Sequence, residues 1–413
     1  MQRAALFLKI ILWMLIVQLG SMPVAIAAPL PSLAVSSSYL AQAPMLDSIA
    51  ALERVLTSPQ LQTGWFAESF LSQVSLAQVE QVLQGMQASL GAYQSTEAKG
   101  DRYLVTFERG TVEAQIALNA RGQITGLLFQ PPALSGLTLD EIAQRFAQLP
   151  GEVSLLIQQN GTDIASYQPE KPLGVGSAFK LIVLQALRQQ IEAGQHRWDE
   201  VIQLQPEWRS LPSGLLQTWP ANAPLTLQTL ATLMISLSDN TATDALIHLV
   251  GQEALIALSP RNQPFLTTRE LFVLKDPQNS ALLERYRQNP AERRQTLDSL
   301  TELSLPNVNL FEGGPLALDV EWFLSGQELC QAIASVADLP LMQVNPGIAE
   351  PQDWAQVAYK GGSEAGVLNF TTHLTAADGT AYCLTTTWNN PAGVDEIELA
   401  TLYRSAIETL KSL

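Results

Sequence analysis

The spacing of apolar residues changes period several times along the chain, and each change marks an element. Leu46–Leu56 and Leu76–Leu90 carry apolar residues three and four apart, the helical spacing, and Ser75 is an N-cap for the second. Tyr103–Glu108, Val112–Leu118 and Ile124–Phe129 read as strands, with turn signals at Arg109-Gly110 and Ala120-Arg121-Gly122. Helices followed by an antiparallel meander predict a small α+β domain, closed by Pro131-Pro132. Beyond it, Thr138 caps a helix to about Leu149, and Val153–Gln158 and Asp163–Tyr167 form a hairpin about Asn160-Gly161. A mostly helical stretch fills residues from about 177 to 340. Strand patterns return at Val357–Lys360, Leu368–Leu374 and Ala381–Trp388, with Asp378-Gly379 between the last two, and a closing helix spans about Val394–Leu410. Strands at both ends with helices between predict one sheet that joins the two ends, with helices packed against it.

The first residues read as an address. Arg3 and Lys9 precede an apolar run, Ile10–Leu19, and then come Gly20, Pro23 and the small-residue series Ala25-Ile26-Ala27-Ala28. This is the pattern of a secretory signal peptide over 1–28, cut near Ala27 or Ala28. A run of about ten apolar residues is short against the roughly 20 that a spanning helix needs. The expected organisation is therefore a signal peptide (1–28), a Pro/Ser/Ala-rich linker (29–44), a small domain (45–134) and a large one (135–413). The mature protein is expected to be exported, periplasmic or extracellular, with no membrane span. In such a compartment Cys330 and Cys383 either pair or stay as two separately buried thiols; their patterns, one helical and one strand-like, fit both.

Composition removes several functions. Of 413 residues 47% are hydrophobic and 15% charged, so a large core can form and wholesale disorder is excluded. The net charge of −16 repels phosphate backbones, which argues against nucleic acid as a partner. Three histidines (His196, His248, His373) and two cysteines are scattered, so no metal site and no cofactor is expected.

Three short motifs carry the candidate chemistry. Ser177-Ala178-Phe179-Lys180 opens an apolar helix, and residues three apart share a helix face, so the Lys180 amine lies beside the Ser177 hydroxyl. A serine hydroxyl needs such a neighbour, being a poor nucleophile at neutral pH. Ser238-Asp239-Asn240 breaks an apolar helical region, where polar side chains need partners or cap a helix. Lys360-Gly361-Gly362-Ser363 ends a strand pattern, and its glycines let a ligand approach the backbone. There is no G-x-S-x-G elbow, and no histidine lies near the candidate serines in sequence.

The three motifs in this order, starting 61 and then 122 residues apart (177, 238, 360), resemble the S-x-x-K, S-D-N, K-T-G set of penicillin-recognising serine enzymes, class A β-lactamases above all. The third departs at Gly361, where that family usually has Thr or Ser. The resemblance runs from about 137 to 413. Phe66–Gly91 and the Ile124–Pro132 strand are similar to the NTF2-like (cystatin-like) first domain of two-domain hydrolases from clavulanic-acid gene clusters. The resemblance implies a β-lactamase/transpeptidase-like α+β domain, an antiparallel sheet flanked by helices plus a helical subdomain, behind a small NTF2-like α+β domain.

It further implies roles. Ser177 is the acylated nucleophile, Lys180 its proton acceptor, Ser238 a proton relay, Asn240 a support for Lys180 and the substrate amide, and Lys360 the partner of a substrate carboxylate. The N–H groups of Ser177 and Ser363 form the oxyanion hole beside Gly362. The E-x-x-L-N string that supplies the deacylating base in class A β-lactamases is absent. Glu270, 93 residues after Ser177, stands near the expected distance, with a structural ion pair as its other reading. The expected partner is a small acyl substrate: a β-lactam, an ester or a peptidoglycan stem peptide. The options that follow are β-lactamase, carboxypeptidase-like enzyme, esterase, or a penicillin-binding sensor that stays acylated.

Overall fold

The computed structural model describes residues 47–413, so the expected signal peptide and linker lie outside the described residues. The chain divides between Pro132 and Ala133 into two compact units.

The first unit holds two long helices and a meander. Asp47 caps α1 (Ser48–Thr57) through a 2.7 Å hydrogen bond from Ala50 N to its Oδ1, and α1 buries Ala51, Leu52 and Val55. Ser75 and Gln78 form a capping box on α2 (Leu76–Leu90), which ends at Gly91 with φ +84°. Strands β1 (Tyr93–Lys99), β2 (Arg102–Phe107), β3 (Gly110–Leu118) and β4 (Ile124–Phe129) pair antiparallel in that order. Strand β1 is an addition to the expected three. Its sequence, Tyr-Gln-Ser-Thr-Glu-Ala-Lys, has no fully buried position, so no apolar alternation announces it.

The second unit is a three-layer arrangement. Helix α3 (Leu139–Ala147) starts at a Thr138–Glu141 capping box. Strands β5 (Glu152–Gln159) and β6 (Thr162–Tyr167) turn at Asn160 and Gly161, both with positive φ, as a two-residue hairpin loop requires. The helical stretch then contains α4 (Lys180–Glu192), α5 (Leu227–Ser236), α6 (Asn240–Val250), α7 (Gln252–Leu258), α8 (Thr268–Lys275), α9 (Ser280–Gln288), α10 (Arg293–Asp298) and α11 (Gly326–Ala334). Strands β7 (Gln356–Glu364), β8 (Val367–Thr375) and β9 (Ala381–Asn389) follow, and α12 (Glu396–Leu410) closes the chain. The sheet order is β7-β8-β9-β5-β6, all antiparallel, so the strands from both ends do share one sheet.

Successive residues of β5 show why this sheet needs helices on both faces. Leu155 and Ile157 pack into a core with Phe146 of α3 and Tyr403 of α12, while Leu156 between them joins the core of the helical region with Leu184, Met234 and Leu246. A disulfide between Cys330 of α11 and Cys383 of β9, with Cα atoms 5.8 Å apart, ties that region to the sheet and resolves the open pairing.

Candidate active site

The nucleophile candidate sits on a tight turn rather than on the α-helix itself. Gly176–Phe179 is a 3₁₀ turn that feeds directly into α4, and its i, i+3 side chains eclipse, which stacks Ser177 and Lys180 on one side. Gly176 has φ +49°, and Val175 N donates to Trp322 O at 3.0 Å, fixing the entry to the turn. Phe179 stacks on Trp322 with ring centroids 3.7 Å apart. Ser177 remains half-buried at the surface of this packed base.

Lys180 is fully buried, and its ammonium group donates to three acceptors: Ser238 O at 2.6 Å, Ser238 Oγ at 3.1 Å and Asn240 Oδ1 at 2.7 Å. Asn240 is oriented in turn by its Nδ2 hydrogen bond to Leu211 O at 2.9 Å. Ser238 lies between α5 and α6 with φ +56°, a backbone region that non-glycine residues seldom occupy. Its carbonyl also accepts from Ser213 Oγ at 2.6 Å. Asp239 anchors the turn by capping α6 at Ala242 N (2.9 Å) and accepting from Leu215 N and Leu216 N.

Lys360 approaches the same hydroxyl from the sheet. Its Nζ donates to Ser238 Oγ at 3.1 Å and to Gly361 O. Two buried lysines thus crowd one half-buried serine. Burial, and then the charge of Lys360, hold the Lys180 pKa well below its ordinary value, against the opposing pull of Asp244 and Asp239. Burial lowers Lys360 to about 7. The arrangement disfavours the charged form of Lys180, three residues on from Ser177.

The third motif does not end its strand. Lys360 to Glu364 continue β7, which pairs with β8 through Glu364↔Val367. At the edge of the sheet this strand leans on the nucleophile turn. A Cβ at Gly362 would lie 2.6 Å from Ser177 N and 2.7 Å from Ala178 N, and one at Gly176 would lie 3.2 Å from Ser363 N. Only glycine permits that close approach of β7 to the turn that carries Ser177. Gly361 also has a local reason. A Cβ there would come within 2.9 Å of Tyr359 Cζ and 3.1 Å of Asn369 O, so Tyr359 fills the space a threonine would take.

Glu270 is engaged elsewhere. Its Oε2 accepts from Thr267 N at 2.7 Å in the capping box of α8, and its Oε1 pairs with Arg294 at 3.3 Å. The carboxylate therefore serves the helix start and makes a structural ion pair with Arg294. Sequence reasoning missed Ser213 and Asp244. Asp244 is buried and accepts from Thr268 N (2.7 Å), Thr268 Oγ1 (2.9 Å) and Arg269 N (2.9 Å), joining α6 to α8. Burial raises its pKa to about 7. An aspartate inside the apolar Thr-Ala-Thr-Asp-Ala-Leu run was its one signal. Ser213, in a Ser/Gly loop, gave none. Among the described residues no group of histidine, cysteine, aspartate and glutamate side chains could hold a metal ion, and no helix is long and apolar enough to cross a membrane.

The chain is similar to solved structures of a β-lactamase from Sphaerobacter thermophilus (21% identity, TM-score 0.46, 66% of this chain and 96% of that one), of PBP-A (17%, 0.43, 66% and 95%) and of a β-lactamase from Francisella tularensis (15%, 0.46, 67% and 99%). No curated protein matches. Residues 138–301 match the family model described as the Beta-lactamase enzyme family, and with the antiparallel sheet and helical region above they give the second unit a β-lactamase-like α+β fold.

Proposed function

We propose that the protein is an exported serine hydrolase that cleaves an amide, lactam or ester through an acyl-Ser177 intermediate. The observation that carries the reading is the fully buried Lys180, one turn from Ser177 and held by Ser238 and Asn240, whose charge is disfavoured by burial and by Lys360. Neutral Lys180 takes the Ser177 proton as Oγ attacks the carbonyl carbon. The N–H groups of Ser177 and Ser363 stabilise the oxyanion, and the tetrahedral intermediate collapses as the C–N or C–O bond breaks. Ser238, within 3.1 Å of both lysines, passes a proton to the leaving nitrogen or oxygen. Lys360 attracts a substrate carboxylate. Water then cleaves the acyl ester and restores Ser177.

The engagement of Glu270 in a cap and an ion pair favours slow deacylation, hence a penicillin-binding or carboxypeptidase-like enzyme over a fast β-lactamase. The Cys330–Cys383 disulfide supports export to an oxidising compartment. The first unit we read as an NTF2-like packing or interaction module. The test is intact-protein mass spectrometry with benzylpenicillin and with p-nitrophenyl acetate. A stable adduct that Ser177→Ala abolishes is the expected result. Labelling undiminished in Ser177→Ala overturns the nucleophile, and rapid lactam turnover without an adduct overturns slow deacylation.

A further inference from the structure

A second buried lysine lies behind the site. Lys275, the last residue of α8, has a fully buried ammonium that donates to Glu321 Oε1 at 2.6 Å and to Glu364 Oε1 at 2.7 Å. Each group belongs to a part the reaction uses. Glu364 follows Ser363 on β7. Glu321 precedes Trp322, which holds both Val175 N and the Phe179 ring, and Glu321 Cγ lies 3.1 Å from the Cβ position of Gly174. The nucleophile turn and the end of β7 are thus tied to one ammonium group.

The charges balance only in one state. Two carboxylates on one lysine would leave a net buried negative charge, which is strongly unfavourable. Burial, and then the charge of Glu321, push the Glu364 carboxyl well above the usual carboxylate range. Burial opposes ionisation of Glu321 as well, but Lys275 and a hydrogen bond with Glu364 hold its pKa below the usual value. The cluster is neutral when Glu364 carries a proton while Lys275 and Glu321 form the ion pair. The other charges nearby are Asp319, which Lys275 also influences, and its exposed partner Arg287 at 2.6 Å.

We infer that the Lys275–Glu321–Glu364 cluster is a net-neutral clamp that positions the two oxyanion donors, Ser177 N–H and Ser363 N–H, relative to each other. The inference rests on the reading of Ser177 as nucleophile. These three are positioning residues and touch no substrate atom. The clamp acts on the acylation step, because donor placement matters most where the oxyanion develops. Substrate capture depends on Lys360 instead.

The test uses the full chain and benzylpenicillin, separating the acylation rate constant from the non-covalent Kd. Glu364→Gln keeps a donor for Glu321 and an acceptor for Lys275, so acylation within about twofold of wild type is expected. Lys275→Met combined with Glu321→Gln removes the bridge without stranding a charge; it is expected to fold and to acylate at least about tenfold more slowly with Kd unchanged. Glu364→Ala, which leaves the Lys275–Glu321 pair intact, serves as a second variant and should slow acylation in the same sense. An infrared carbonyl band of a protonated carboxylic acid at neutral pH, lost in Glu364→Gln, is the spectroscopic counterpart. Wild-type acylation rates in both bridge-breaking variants overturn the clamp and leave the nucleophile standing. Absence of the infrared band overturns the neutral charge state. A wild-type protein that takes no acyl group overturns the Ser177 reading and the clamp with it.

Discussion

Two buried lysines some ninety-five positions apart in the chain, Lys180 and Lys275, face opposite electrostatics. Both ammonium groups are sealed from water. Lys180 looks onto neutral oxygens and a second cation, and its pKa falls well below the ordinary value. Lys275 looks onto two carboxyl groups, and although burial works against its charge, they raise its pKa. Burial alone therefore does not decide what a lysine is for. The neighbours do: dipoles and a like charge disfavour the charged form, whereas carboxylates hold it.

The same substitution at the two positions separates them. Lys180→Met is expected to cut acylation of Ser177 by about 10²–10⁴-fold, the usual worth of a general base, in a single-turnover assay with benzylpenicillin. Lys275→Met leaves the Glu321 carboxylate buried and uncompensated, and a loss of about 3–5 kcal/mol in denaturant unfolding is expected. Lys180→Met strands no carboxylate, so unfolding should lose only about 1–3 kcal/mol, the cost of leaving the Ser238 and Asn240 acceptors without their donor. Destabilisation of equal size in both variants would erase the distinction.

A smaller effect lies in pH dependence. Lys360 titrates near 7 in the folded protein and at 10.5 in its ordinary state, so between these values the unfolded chain holds the extra proton. Stability should therefore rise with pH across that window, and Lys360→Met should flatten the rise. The same titration removes the cation that attracts a substrate carboxylate. Acylation by benzylpenicillin is expected to decline above about pH 7, while the uncharged p-nitrophenyl acetate shows no such decline; parallel profiles for the two would sink that assignment of Lys360.

What was legible in the sequence was whatever repeats or ends sharply. The α2 helix, the Asn160-Gly161 hairpin and strands β8 and β9 announce themselves by apolar period and turn residues. The site motifs were legible because they combine a serine with a lysine three residues on and glycines on a strand. Strand β1 was not, because polar edge strands carry no alternation. The extent of β7 was not, because Gly361 and Gly362 look like a turn until the nucleophile turn packs against them. The Lys275 cluster was invisible for a stronger reason. Its members, at 275, 321 and 364, are ordinary charged residues that look like solvated surface, and only the tertiary fold brings them together.

The Tyr359 ring that overlies Gly361 bears on how this chain can change. Installing threonine at 361 first would drive its side chain into the phenol and the Asn369 carbonyl. Trimming Tyr359 first would open a hole beside the core that it partly covers. Each single step is unfavourable, and because the two side chains share one space the effect of changing either position depends on the other: they are coupled sites whose substitutions do not add.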